Sequence, residues 1–572
     1  MPVVSGGLPV SRGESQGCYV LFGPRYGGDR VAPDLLDLFV GARQANGSVS
    51  ERSLPLVDGD RQPAGGEDPR AAGSDARPVA GFERSQALFA RLLEWAVGEE
   101  ALGLEHSGLE ARLVKDGREL ARQVLQDQFD LRAVLEPRVG GVIGAEGTPR
   151  RSVERGHERD LHTVLGEVQV TRLAYRAVGS ENLYPADAQL NLPASRHSHG
   201  IRRLAALEAP RGSFEDAQAA IVRQSGQQIG TRQLRELTLS AAQDVAAFYA
   251  QRERTAPEEQ DLLVLSCDAK GVVMRPEALR EPTRTQAHSA SGKLKTRLSK
   301  GEKSNRKRMA EIVTVYELTP EPRTAADILP DPENPPPSAT PRPKAKNKWL
   351  AASVTDDARA VIAGMLNEAD RRDPDHKRRW VALVDGNNHQ IDRIKTEARK
   401  RKVKVPIVVD FIHVLEYLWS GCWCFFEEGD PAAERWVHEK ARAVLEGKAG
   451  IVAAAIRRKA TRLALEPNKR QAADRCADYL LAKRPYLDYP TALQNGWPIA
   501  TGVIEGACRH LVKDRMDITG ARWGLAGAEA ILTLRALISN GDFDQYWTFH
   551  LAQEHCRVHA SRYALGVIPA PA

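Results

Sequence analysis

A chain of 572 residues is too long for one hydrophobic core and, at about 150 residues per domain, predicts three or four units. Its formal net charge is only +6, so an anionic partner has to be met by local clusters of Lys and Arg rather than by overall charge. Seven scattered cysteines without a CxxC pair (Cys18, Cys267, Cys422, Cys424, Cys476, Cys508 and Cys556) exclude a disulfide framework or a zinc ribbon and predict a reducing compartment.

The first residues lack the basic start and apolar core of a signal peptide, and no apolar run approaches the ~20 residues that span a bilayer. A cytoplasmic protein with no membrane partner is expected. Residues 1–80, rich in Gly, Pro, Ser, Arg and Asp, predict a disordered leader. From Phe82 to Val134 the spacing becomes helical, through Leu88, Leu92, Leu93 and Val97 and then Leu113, Leu120, Val124 and Leu125, which predicts an accessory helical region over 81–160. The segment His162 to Ala177 alternates apolar and polar residues around Gly166 and predicts a β-hairpin. Ser213 is placed to cap a helix carrying Phe214, Ala217, Ala220 and Ile221; Gly226 breaks it, and Thr231 is placed to cap a second helix carrying Leu234 and Leu237. Two short helices with a Gly-containing turn fit a helix-turn-helix, whose second helix would present Arg232, Gln233 and Arg235 to DNA, although many αα-hairpins share the pattern. Residues 161–256 are accordingly expected to be a DNA-binding region.

After Pro257 the pattern changes to α/β. Strands are predicted at Leu262–Ser266, with a possible continuation through Gly271–Met274, and at Ile312–Tyr316, Trp349–Val354, Trp380–Val384 and Val405–Val409. Helices are predicted at Asp357–Ala369 and Ile391–Lys402. From Ile412 to Leu487 the pattern is entirely helical, including Ala432–Leu445 and Ile451–Leu465. The expected organisation is a core over 257–425, a helical insertion over 426–497, carboxy-terminal core helices over 498–549 and a tail over 550–572.

Three carboxylates stand out. Asp268 follows the first strand and Asp385 the fourth, and ligands of open α/β sheets gather at strand carboxyl ends. Glu505 lies on a helix that Thr501 is placed to start. The interval is one residue too long for a capping box, so capping does not account for the glutamate. Helical spacing puts Arg509 and Lys513 on the face of Glu505, with Ile504, Cys508 and Leu511 opposite. Hard oxygen ligands grouped in this way suit Mg²⁺ or Mn²⁺, and two such ions about 4 Å apart serve phosphoryl transfer. Taken singly, each acid also has an ordinary role: Asp385-Gly386 makes a good turn, and Glu505 can pair with Arg509 on a surface.

The segments LSCDAKGVVM, ALVDGNNHQ, VVDFIHVLEYLW and TGVIEGACRHLVKDRMDITGARWGL resemble the catalytic blocks of bacterial DDE transposases, particularly the Kra family of insertion sequences. VLGEVQVTRLAYRA, NLYPADAQLNLP and GSFEDAQAAIVRQSGQQIGTRQL are similar to that family's amino-terminal region, so the resemblance spans roughly residues 160–550. More distantly it extends to ISL-type and Mutator-like transposases. It implies an RNase H-like catalytic core, a mixed five-stranded sheet in the order 3-2-1-4-5 with flanking helices and an all-α insertion. It implies that Asp268, Asp385 and Glu505 hold two divalent ions, Mg²⁺ or Mn²⁺, with Asp410 and His413 forming the Asp-x-x-His signature. The implied function is metal-dependent DNA strand cleavage and transfer at the terminal inverted repeats of an element, by a nucleoid-associated homodimer or higher oligomer on element and target DNA. Asp410 competes with Asp385 for the second acidic position; its alternative role is to orient its loop or to bond His413. A structure-selective nuclease and a catalytically inactive DNA-binding descendant are the competing functions. Some related transposases carry Cys-rich metal sites near the amino terminus, and this sequence shows none there.

Basic residues cluster between the first two predicted strands at Lys293, Lys295, Arg297, Lys300, Lys303, Arg306, Lys307 and Arg308, where phosphate neutralisation or a solvated loop is expected. Arg393 to Lys404 adds a second basic surface. Trp523 offers either a stacking surface for a displaced base or core packing. His550, His555, Cys556 and His559 suggest either zinc or a frayed terminal helix. Cys422 and Cys424 are expected to pack as small apolar groups.

Overall fold

The computed structural model describes residues 81–252, 261–289, 306–331, 343–518 and 520–570. The expected leader and the basic residues Lys293, Lys295, Arg297, Lys300 and Lys303 lie outside the described residues.

Helices α1 (Glu83–Ala96) and α2 (His106–Leu135) join where the Ser85 hydroxyl donates to the buried Asp127 carboxylate at 2.6 Å. α2 lies against a hairpin of β1 (Ser152–His162) and β2 (Glu167–Arg176), and Phe129, Leu161, Val168 and Val170 form a small core there. The turn is where expected, with Gly166 at φ 150°. β1 itself carries almost no apolar pattern, because only Leu161 of SVERGHERDLH is buried.

α3 (His199–Glu208), α4 (Phe214–Ser225), α5 (Thr231–Ala242) and α6 (Val245–Gln251) follow. Ser213 and Asp216 close a capping box on α4, and Gly226 ends that helix in the left-handed region at φ 71°. The N-cap of α5 is Gly230 rather than Thr231, whose side chain makes no cap bond.

β3 (Leu262–Met274), β4 (Arg306–Leu318), β5 (Lys346–Ser353), β6 (Trp380–Val384) and β7 (Ile407–Val409) form one sheet in the spatial order β5-β4-β3-β6-β7. β4 runs antiparallel to both β3 and β5, while β6 and β7 extend the other side of β3 in parallel. α7 (Ala358–Arg372) and α8 (Asn388–Arg401) are the connections before and after β6. The continuous apolar runs LLVLSC and WVALV are buried throughout, as strands covered on both faces require. Two expectations are corrected here. Asp268 lies inside β3 rather than at its end; what stops at Cys267 is the parallel pairing with β6. Arg306, Lys307 and Arg308 belong to β4, opposite Met274, Val273 and Val272, and are not loop residues.

After β7 come α9 (Phe411–Cys422) and the helical segment α10 (Pro431–Leu445), α11 (Ala449–Arg462) and α12 (Pro467–Lys483). The chain then returns as α13 (Gly502–Ala507), a π-helical turn over Cys508–Lys513, α14 (Leu525–Ser539) and α15 (Phe543–Val558). Met274 and Ile312 of the sheet, Ile221 and Leu234 of α4 and α5, and Leu511 and Ile531 share one core, so the α4–α5 pair is fused to the sheet domain. α15 packs on α6 through Phe248, Tyr546 and Trp547, and the buried Arg202–Glu554 pair at 3.0 Å ties it to α3. The terminal histidines therefore neither fray nor bind zinc as a set. His550 pairs with Asp244 at 2.7 Å, while the His555 and His559 rings bond the carbonyls of Ala188 and Leu192 at 3.1 and 2.8 Å. Cys422 is buried and Cys424 partly so, and both are free thiols. Among the described residues no helix is long and apolar enough to cross a membrane.

Candidate active site

Strand register sets out three aspartates. Cys267 pairs with Val384 and Val384 with Val409, so the residues that follow, Asp268, Asp385 and Asp410, stand side by side across β3, β6 and β7. One Asp268 oxygen accepts from the Ala269 N–H at 2.7 Å and the other from the Cys508 thiol at 3.1 Å. Asp385 accepts from the Asn387 N–H at 2.7 Å through one oxygen, and its backbone carbonyl accepts from the Tyr479 hydroxyl at 3.3 Å. Asp410 is fully buried and is the N-cap of α9. Its carboxylate takes the Ile412 N–H at 2.9 Å, the Thr501 N–H at 3.3 Å, the Thr501 hydroxyl, and His413 Nδ1 at 3.1 Å.

Glu505 reaches this row because Thr501 docks beneath Asp410. The Thr501 hydroxyl also lies 3.1 Å from Glu505 Oε1, but a hydroxyl carries one proton and cannot donate to two carboxylates at once. Expected features of this helix change accordingly. Thr501 occupies the N-cap position without capping, because its side chain serves the two acids instead. The helix passes into a π-turn at Cys508, three residues after Glu505. The Arg509 side chain is 78% exposed and its ion pair is with Asp514 at 3.8 Å, not with Glu505. Trp523 is core: it bonds the Met516 carbonyl at 3.0 Å and lies under Arg515, with its backbone bridged to the end of β3.

Electrostatics mark the cluster as overcharged. Burial raises the Asp385 carboxyl above its usual range, and the neighbouring Asp268 charge adds to the rise. Glu505 is raised by burial and then by the charge of Asp410. Burial opposes the charged form of His413, but the hydrogen bond and charge of Asp410, helped by Glu416 and Asp385, outweigh it and lift the imidazole to about 9. No match to this sequence is found among protein-family models or curated proteins.

Asp410, His413 and Glu505 bring one potential ligand atom each within 4.8 Å of one another, a spacing that suits a metal ion. Within that group the roles differ. Asp410 already receives four donors, which hold α9, His413 and Thr501 together. Asp385 has one carboxylate oxygen without a hydrogen-bond donor among the described residues, and Glu505 has beside it the Thr501 hydroxyl that also serves Asp410. Hard oxygen donors with raised pKa values, crowded and short of donors, fit a divalent cation. Asp410 is thus saturated with hydrogen bonds, whereas Asp385 is not.

The other nominated residues are spread out. Arg308 is consumed by the carbonyls of Val354, Ala278 and Thr355 at 2.6, 3.2 and 3.1 Å. Lys307 is exposed and Arg306 partly so. Arg232 is 90% exposed and pairs with Glu236 one turn on, Gln233 is half-buried, and Arg235 is exposed beside Gly527 of α14. On α8, Arg401 and Lys400 are paired with Glu397, and Arg401 also with Asp370. Three residues of the site carried no sequence signal of their own. Tyr479 and Lys483 of α12 brace the Asp385 loop, where a Cβ on Gly386 would meet them at 3.0 and 3.6 Å, and Cys508 meets Asp268 across 240 residues of sequence. Two cavities, of about 190 and 470 Å³, are lined by none of the clustered carboxylates.

Proposed function

We propose that the chain is a DDE transposase of the type its motifs resemble, cutting and joining DNA strands with Mg²⁺ or Mn²⁺ held by Asp268, Asp385 and Glu505. The observation that supports this reading is that strand register sets Asp268, Asp385 and Asp410 in one row while Thr501 links Glu505 to Asp410 at the end of that row. The strand order, with the fourth core strand beside the first, supports an RNase H-like assignment.

Divalent ions bound there would supply nucleophile activation and charge neutralisation at a phosphodiester. The chain's own groups hold and aim them: the Asn387 N–H fixes the Asp385 rotamer, Tyr479 steadies its backbone, and Asp410 sets the position of Thr501 and hence of Glu505. His413, charged at neutral pH, places a cation against the same face. Substrate DNA would lie across basic residues such as Arg306 and Lys307 of β4, which stand opposite Met274 and Val273 of β3.

The test is incubation of purified protein with DNA bearing the repeats that flank its gene, with and without Mn²⁺. Metal-dependent cleavage followed by joining to a second duplex, both lost in Asp385→Asn, is expected. Cleavage without joining would make the protein a nuclease, and repeat binding without cleavage would make it a DNA-binding protein.

A further inference from the structure

Cys508 is buried, 4% exposed, and its thiol is 3.1 Å from Asp268 Oδ2. It opens the π-helical turn that follows Glu505, so one short stretch of chain supplies both Glu505 and a donor to Asp268. The other Asp268 oxygen is held by the next residue's own N–H at 2.7 Å, a purely local contact. Cys508 is thus the only side chain among the described residues that bonds this carboxylate, and it reaches it from the helix on which Glu505 rides. Three residues on from Glu505, Cys508 is its helical neighbour rather than a residue of the opposite face, so both can reach the acidic row. The π-turn is the local feature that accompanies its inward contact, and single π-turns inside helices occur often at functional sites.

We propose that Cys508 is a positioning residue for Asp268, its thiol proton fixing the carboxylate rotamer and coupling the Glu505 helix to β3. The inference rests on the reading of Asp268 as a metal ligand. A thiol suits the task because it is compact, apolar enough to sit in the core formed by Ile504, Leu511 and Met274, and still carries one donor. Outer-shell partners of this kind alter metal affinity by about 10–100-fold when removed.

The experiment measures Mn²⁺ binding by calorimetry and electron paramagnetic resonance on full-length protein and on Asp268→Ala, Cys508→Ala, Cys508→Val and Cys508→Ser. Thermal melts and the infrared S–H stretch are recorded without metal. Expected results are loss of one binding event in Asp268→Ala and about 10-fold weaker binding in Cys508→Ala. Cys508→Ser, which keeps a donor, should return most of the affinity. The S–H band of wild type, taken as the difference from Cys508→Ser, should shift when Asp268 is removed. If Cys508→Ala does not melt cooperatively, Cys508→Val supplies the donorless comparison. Wild-type affinity in both donorless variants, with binding still lost in Asp268→Ala, overturns the positioning role and leaves the metal site standing. Mn²⁺ binding by wild type and Asp268→Ala alike overturns the metal reading, and this inference with it.

Discussion

Replacing Asp410 by Ala should destabilise the base of α9 strongly, whereas replacing Asp385 should not. Asp410 is fully buried and its removal strands the Ile412 and Thr501 N–H groups and leaves His413 without its anion. Breaking one half of a buried pair costs about 3–5 kcal/mol. The same interaction can be gauged from the histidine, whose pKa rises from 6.5 to about 9. At 1.36 kcal/mol per pK unit that is about 3 kcal/mol, the same energy seen from the other partner rather than an addition to it. Because the folded-state value lies above the unfolded one, this stabilisation is complete below pH 6.5 and disappears as pH rises through about 9. Hydrogen exchange on peptides covering α9, read at pH 6 and again near pH 9, measures it locally. The expected result is an opening constant for Asp410→Ala raised by about 10²- to 10⁴-fold at the lower pH and by less at the higher one, where the His413 part is lost and the stranded N–H groups still count. An α9 protected equally in wild type and Asp410→Ala would refute the orienting role and return Asp410 to the list of metal ligands.

Three further outcomes follow from the same contacts. Asp385→Asn and Glu505→Gln should melt at or above the wild-type temperature near neutral pH, because both carboxyls are raised and their charges oppose folding there. Both should lose metal-dependent cleavage by more than the ~10–100-fold of an outer-shell change, and a gel-based cleavage assay beside a thermal melt checks both halves. Gly386→Ala places a Cβ at φ 98° and 3.0 Å from the Tyr479 hydroxyl, so it should cost more than about 1 kcal/mol and reduce cleavage by shifting the Asp385 loop; urea titration and the cleavage assay read the two effects. Arg308→Ala should lower stability by about 1.5–3 kcal/mol while leaving the salt dependence of DNA binding unchanged, whereas Lys307→Ala should leave the melt intact and reduce the salt slope by about 1.

The sheet strands were legible where they are apolar runs, as in WVALV before Asp385, and not where β4 begins with Arg306, Lys307 and Arg308. The α4 boundaries were legible because Ser213 and Gly226 are strong local signals. β1 was not, since its polar sequence is exposed and its pairing is imposed by β2. The candidate acids could be named from sequence because acidic residues after apolar strands are conspicuous, but the sequence did not separate Asp385 from Asp410. That distinction lies in hydrogen-bond saturation from Thr501 and His413, which depends on a fold contact 91 residues away in sequence. Arg509 was misplaced for a different reason: the expectation used α-helical spacing throughout, and the chain passes into a π-turn at Cys508. Tyr479, Lys483 and Cys508 gave no signal because their partners are set only by tertiary packing.

The bonds from Thr501 to Asp410 close an excursion of 91 residues. Bringing the ends of a flexible loop of that size together costs about 4 kcal/mol of chain entropy, so the clasp depends on α9 to α12 having already folded into a compact spacer. During synthesis at about 5–20 residues per second, Glu505 emerges several seconds or more after Asp410. A nascent chain therefore holds its first two aspartates for that interval without the glutamate, and the order of residues along the gene delays completion of the acidic cluster until the α-helical spacer has been made.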